Sequence, residues 1–163
     1  MILGNRIRVG MADARVSVAP SIITTLGLGS CVGVVLYDEQ SKIAGMVHIM
    51  LPYSNEIAEN SNGYKFADTG VKMLTDLLFK EGVSVKNLKA KIAGGAQMFK
   101  FNSNSDSMKI GNRNIEAVKL TLEELEIPLV SEDTGKDYGR TIEFDCETCK
   151  LLIKAVGKEP KII

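Results

Sequence analysis

The sequence predicts an α+β fold, with mixed β-sheets packed in layers with two main α-helices in a single domain spanning residues 1–163. Strand-like stretches gather towards both ends of the chain, and two amphipathic helical stripes sit on separate crossovers between them. A central hairpin is apolar on both faces and therefore needs cover on both sides. A chain of 163 residues is long enough to bury roughly 70% of its unfolded surface.

Residues 5–19 read as extended, with Ile7, Val9 and Met11 alternating against Arg6, Arg8 and Gly10 until Pro20 interrupts. Residues 21–26 are a short β-branched strand leading into a glycine-rich loop that ends at Cys31. The hairpin follows: Val32 to Tyr37, a polar turn over 38–41, then Ile43 to Met50, closed by Leu51-Pro52. The polar, turn-rich run 53–63 reads as a mobile loop. Residues 64–81 are helical, with Ala67, Val71, Leu74, Leu77 and Leu78 on one stripe and Gly82 as its terminator. A strand over 88–92 runs into Ala93-Gly94-Gly95-Ala96. A second polar loop covers 100–109. A helix over 111–126 shows Ile115, Val118, Leu122 and Leu125 on one face. A short strand covers 130–133, and a closing hairpin pairs 140–145 with 149–156. The tail after Gly157 is charged and expected to fray.

Twenty basic residues balance twenty acidic ones. No global field exists to gather nucleic acid or anionic lipid, and no local patch replaces it. The first ten residues carry Arg6 and Arg8 and lack the apolar core of a signal peptide. No apolar run is long enough to span a membrane. Three cysteines cannot all pair, and the expectation is a cytoplasmic protein with reduced thiols.

The chemistry centres on Cys31 and on His48, the only histidine in the chain. A symmetric loop centred between Glu39 and Gln40 places the two directly opposite each other, on one face of the sheet. An imidazolium there would shift the thiol towards thiolate. The amides of Gly29, Ser30 and Cys31 are candidate donors to an oxyanion. A third group must orient the imidazole; Thr24, Thr25, Ser21 and Ser30 all qualify, and spacing does not choose among them. The plain alternative is a small buried thiol and a satisfied core histidine.

Other motifs resolve less. Gly29-Ser30-Cys31-Val32-Gly33 fits a nucleophile elbow, but an elbow needs a helix where this chain has a strand. Gly27, Gly29 and Gly33 miss the dinucleotide fingerprint by one residue. Cys146-Glu147-Thr148-Cys149 falls in a hairpin turn, where a redox motif does not belong. A zinc site would have to draw Cys31, His48, Cys146 and Cys149 together. The favoured reading is two turn thiols without a role and no metal.

Five blocks together resemble the CheD family of chemoreceptor glutamine deamidases: residues 25–32 (TLGLGSCV), 44–52 (AGMVHIMLP), 91–99 (KIAGGAQMF), 110–114 (IGNRN) and 132–135 (EDTG). Their order and spacing agree over about residues 5–157. The resemblance implies a cysteine hydrolase with the fold of a toxin catalytic domain that deamidates Rho GTPases. Its substrates would be glutamines on the cytoplasmic helices of methyl-accepting chemotaxis receptors. It implies Cys31 as nucleophile, His48 as base, Thr25 as the third member, and no cofactor. It also implies binding to CheC, a phosphatase of the response regulator CheY, with stimulation of its activity. The alternative function is a non-catalytic module that regulates CheC by docking, with Phe99 and Phe101 as candidate contacts.

Overall fold

The computed structural model describes residues 4–98 and 109–163. Phe99, Phe101 and all of the 100–109 loop except Lys109 lie outside the described residues. Two five-stranded mixed sheets form, and the two helices cover the outer face of one of them. The first sheet contains β1 (Arg6–Val9), β3 (Ile22–Leu28), β8 (Arg140–Asp145), β9 (Lys150–Lys154) and β10 (Lys161–Ile162), in that order. The second has the order β2 (Ala14–Val18), β5 (Ile43–Ile49), β4 (Val32–Asp38), β6 (Lys89–Gly94) and β7 (Leu129–Thr134). Helices α1 (Ala67–Lys80) and α2 (Ile110–Glu124) pack on the second sheet. The expected α+β layering is what forms, and no helix among the described residues is long and apolar enough to cross a membrane.

Alternation along β4 explains the layering. Val32, Val34 and Leu36 turn towards the helices, where Leu74, Leu78, Val118 and Leu122 meet them. Val35 and Tyr37 turn the other way, into a core shared with Ile23, Ile142, Phe144 and Leu151 of the first sheet. Every residue of β4 is buried. The strand is central and covered on both faces, as its unbroken apolar run requires.

Residues 5–19 form two strands, not one. Ala12 adopts φ 53°, and the turn there sends β1 into the first sheet and β2 into the second. Strand β3 runs farther than expected, to Leu28, with an irregularity between Thr25 and Leu28 where Gly27 takes φ 71°. The chain then crosses from one sheet to the other through Gly29-Ser30-Cys31. The 53–63 segment is mostly exposed but is tied down: Ser54 bonds Asp68 through both its amide and its hydroxyl at 3.0 Å, and Asn62 donates to the Ala12 carbonyl at 3.1 Å. The tail does not fray. Lys161 and Ile162 pair with Ile153 and Leu152, and the Lys161 ammonium reaches Asp133 at 3.0 Å.

The hairpin register differs from the expected one by two residues. Val32 faces Ile49 and Gly33 faces His48, because the four-residue loop is Glu39 to Lys42, with Asp38 opposite Ile43. Asp38 explains the choice. Its carboxylate accepts from the Gln40 amide at 3.0 Å and from the Ser41 hydroxyl at 2.9 Å, and its carbonyl accepts from the Lys42 amide at 3.0 Å. A shift of two preserves face, so Cys31 and His48 still look the same way.

Helix α2 enters against the turn after β6 without clearance. A β-carbon at Gly111 would sit 2.5 Å from the Ala96 carbonyl oxygen and 2.6 Å from that of Gly95. Both obstacles are backbone and cannot rotate away. Gly111→Ala is therefore expected to cost about 2 kcal/mol as an overpacking change. Urea unfolding checks this, through a lowered midpoint at unchanged m-value.

Candidate active site

Three side chains turn to the face between the two sheets, and two of them, Thr25 and His48, are in contact. His48 stands on β5, a central strand, and is fully buried. Thr25 stands on β3 of the opposing sheet and is also fully buried. Its Oγ1 lies 2.8 Å from His48 Nδ1. Cys31 belongs to neither strand. It ends the crossing loop, packs against the core between the sheets, and is only half-buried. With Gly33 opposite His48, Cys31 sits diagonally from the imidazole, a relation that puts α-carbons about 7–8 Å apart in a regular ladder.

Hydrogen-bond bookkeeping fixes the imidazole tautomer. The Thr25 hydroxyl owns one proton and donates it to the Val9 carbonyl at 2.7 Å. A carbonyl can only accept, so that proton is committed. Thr25 Oγ1 must then accept from His48, which places the ring proton on Nδ1. Nε2 is left as a bare lone pair, buried and without a hydrogen-bond partner among the described residues. Of the four hydroxyls open at the level of sequence, Thr25 is the one at the ring. Thr24, on the opposite face of β3, donates instead to the Ile142 carbonyl at 2.9 Å.

Burial sets the resting charges. It pushes the Cys31 thiol above its ordinary value, an effect partly offset by the residue's own backbone N–H against the sulfur. It also holds His48 below its ordinary value. Both shifts favour the neutral thiol and the neutral imidazole. Burial of both groups acts against the expected shift of Cys31 towards thiolate.

The crossing loop is held by its carbonyls. Gly29 O accepts from the Ala96 amide and Cys31 O from the Gly95 amide, each at 2.8 Å. The 93–96 turn is thus a clamp on the cysteine loop. Gly94 takes φ 113°, and a side chain there would collide with the Cys31 carbonyl. The amides of the loop differ from expectation at one position. Gly29 N–H donates back to the Gly27 carbonyl at 3.1 Å and is engaged. The Ser30 and Cys31 amides donate to no other backbone group among the described residues.

Cys146 and Cys149 lie in a turn, as expected, but not exposed there. Both are buried in the core between the sheets, at the β8–β9 turn, and Cys149 takes φ 58°. They do not join Cys31 and His48: among the described residues no three histidine, cysteine, aspartate or glutamate side chains gather as a metal site would need. Val9, whose carbonyl sets the tautomer, gave no signal in the sequence, since any residue supplies a carbonyl. Gly33 gave a weak one, as a glycine inside an otherwise apolar strand.

Residues 50–155 match the family described as CheD chemotactic sensory transduction. A protein of Caldanaerobacter subterraneus subsp. tengcongensis named probable chemoreceptor glutamine deamidase CheD is 59% identical over 157 residues, covering 96% of this chain and 97% of that protein. The chemoreceptor glutamine deamidase CheD of Bacillus subtilis is 50% identical over 159 residues, covering 96% of this chain and 95% of its own. The chemoreceptor glutamine deamidase CheD of Halalkalibacterium halodurans is 53% identical over 158 residues, with 96% and 98% covered. Among solved structures, the Bacillus licheniformis hypothetical protein YfiH overlaps at TM-score 0.47 and 16% identity, over 75% of this chain and 50% of that one. With a family match over more than half its length and relatives this similar from end to end, the chain belongs to the CheD family.

Proposed function

We propose that this protein is a chemoreceptor glutamine deamidase that hydrolyses the side-chain carboxamide of receptor glutamines through Cys31, His48 and Thr25. The observation that carries this reading is the Thr25–His48 contact of 2.8 Å, with the threonine proton committed to Val9. It leaves a base of defined tautomer on the face that Cys31 shares. The names of the similar proteins support the substrate class. Receptor glutamines of that kind lie on cytoplasmic helices, which makes the cytoplasm the place of action.

The reaction proceeds in two halves. His48 Nε2 takes the Cys31 proton as sulfur attacks the carboxamide carbon. The carbonyl oxygen becomes an oxyanion, and the Ser30 and Cys31 amides donate to it; a single such donor is often worth about 3–4 kcal/mol. Collapse expels ammonia, protonated by His48, and leaves a thioester on Cys31. His48, neutral again, draws a proton from water as it attacks the thioester, and glutamate departs as the thiol reforms. Thr25 keeps Nδ1–H engaged throughout, so only Nε2 exchanges protons.

Binding to CheC is the second role proposed. Met98, which precedes the undescribed segment, is 44% exposed and lies 3.3 Å from where a Gly29 β-carbon would be. A partner seated on Met98 would therefore touch the cysteine loop.

Cys31→Ala is expected to lower deamidation of a receptor cytoplasmic fragment by more than about 1,000-fold, as loss of a nucleophile does. The mass gain of amide-to-acid conversion gives the readout. Full activity in this variant would end the catalytic reading. The same variant is expected to keep stimulating CheC phosphatase activity, which separates docking from chemistry.

Thr25→Val preserves shape and removes the acceptor for Nδ1–H. Its kcat is expected to fall on the order of 100-fold, the scale of a misdirected general base. Wild-type kcat/KM should have its acid limb below the ordinary imidazole value of 6.5, since burial lowers His48, and its alkaline limb above the ordinary thiol value of 9.0, since burial raises Cys31. A profile rising through neutrality towards pH 9 would contradict a neutral resting pair.

A further inference from the structure

We propose that Asn114 is a positioning residue for this reaction: by holding the Ser30 carbonyl it aims the Cys31 amide at the oxyanion. The inference rests on the deamidase reading and adds to it a residue that touches neither substrate nor the reacting atoms.

Asn114 lies on α2 and is fully buried. Its Nδ2 donates to Ser30 O at 2.9 Å and to Met50 O at 3.0 Å. Only the amide nitrogen can donate twice, so the two carbonyls settle which way the group is turned. Both of its hydrogens are used. Its Oδ1 is buried with no partner among the described residues. An unpaired buried acceptor costs about 1–3 kcal/mol. Asn114 shares the buried face of α2 with Gly111, Ile115, Val118 and Leu122, where an apolar side chain would avoid that cost. The group therefore sits in the core for what its nitrogen does.

The nitrogen acts on a particular peptide plane. In a trans peptide, C=O and the following N–H point in opposite directions. Drawing Ser30 O towards α2 turns Cys31 N–H away from α2, to the side where that N–H lies against its own sulfur. An oxyanion formed on sulfur attack arises beside that group. The flanking carbonyls, Gly29 O and Cys31 O, are held by backbone amides of Ala96 and Gly95. The middle carbonyl alone of these three is held by a side chain. The second bond, to Met50 O just past the end of β5, fixes the orientation of the Asn114 amide group itself. Gly111, one turn earlier on α2, presses on the 95–96 backbone and leaves the helix no room to slide.

The test compares Asn114→Leu and Asn114→Ala with wild type and Cys31→Ala in two assays. One is kcat and KM for deamidation of a purified receptor cytoplasmic fragment. The other is the rate at which iodoacetamide alkylates Cys31, a displacement at saturated carbon that forms no oxyanion. Asn114→Leu keeps the approximate volume and the fold while removing both donors. In both variants kcat is expected to fall about 100-fold, with KM and the alkylation rate within about threefold of wild type, the pattern of a lost transition-state donor. A folded variant with kcat within about tenfold of wild type would overturn the inference. So would alkylation falling as far as kcat, which would make Asn114 a support for the whole site. Failure of both variants to fold would make it a fold-holding residue and overturn the inference likewise. Cys31→Ala that deamidates at the wild-type rate sinks the underlying deamidase reading instead. An inactive Cys31→Ala beside active Asn114 variants sinks this inference alone.

Discussion

The contact between Thr25 and His48 joins residues of two different sheets, and it depends on how closely those sheets approach. Opposite His48 on the neighbouring strand stands Gly33. A β-carbon there would lie 2.6 Å from Ile142 Cδ1 and 3.2 Å from Leu28 Cδ1, both on the first sheet. A side chain at that position would force the Ile142 and Leu28 tips to give way or the two sheets to part. A separation of a few tenths of an ångström would already weaken a 2.8 Å hydrogen bond. Close packing of the layers is thus what turns a threonine on one sheet into a partner for an imidazole on the other. The Val9 carbonyl, on β1 beside β3, completes the relay by fixing the threonine's proton.

The same packing explains why the cysteine sits where it does. A residue within β4 would be buried on both faces, as all seven residues of that strand are. Cys31 lies one step before the strand, on the passage between sheets, and is half-exposed while its partners are enclosed. A loop in that position carries carbonyls that a regular strand would pair. Here the 94–96 backbone and α2 supply their partners, and the Cys31 amide is left against its own sulfur. The glycines at 94, 95 and 111 serve this close approach of backbone to backbone, each filling a place where a β-carbon would strike a carbonyl or a core side chain.

Most of the architecture was legible because its signals are periodic. The two helical stripes and the doubly apolar central hairpin are local patterns that tertiary contacts reinforce. The hairpin register was legible only to within face. Asp38 closes the loop through its carboxylate and moves the pairing by two residues, which spacing alone does not reveal but which parity survives. The β1–β2 break at Ala12 and the docking of the tail at Asp133 and β9 escaped because both depend on residues distant in the chain. Cys31 and His48 stood out as chemistry-bearing residue types, whereas spacing left Thr25 as one hydroxyl among four; only the resemblance singled it out, and the opposing sheet puts it at the ring. Asn114 had a signal that went unread: a polar side chain in line with the apolar stripe of its helix.

On the proposed mechanism, the third residue being a hydroxyl has consequences for charge. A buried carboxylate in that place would stabilise an imidazolium, and with it a standing thiolate, in the free protein. A threonine offers only a dipole, whose proton already points to Val9. It orients the ring and accepts from Nδ1–H but contributes little to a permanent ion pair. The resting site stays neutral, in keeping with burial raising the thiol and lowering the imidazole. Separation of charge is then worthwhile only when a carboxamide carbon is at hand to take the sulfur's electrons and two amides are aimed to take the oxygen's. Such a thiol is slow towards stray electrophiles and fast towards a substrate that closes over it.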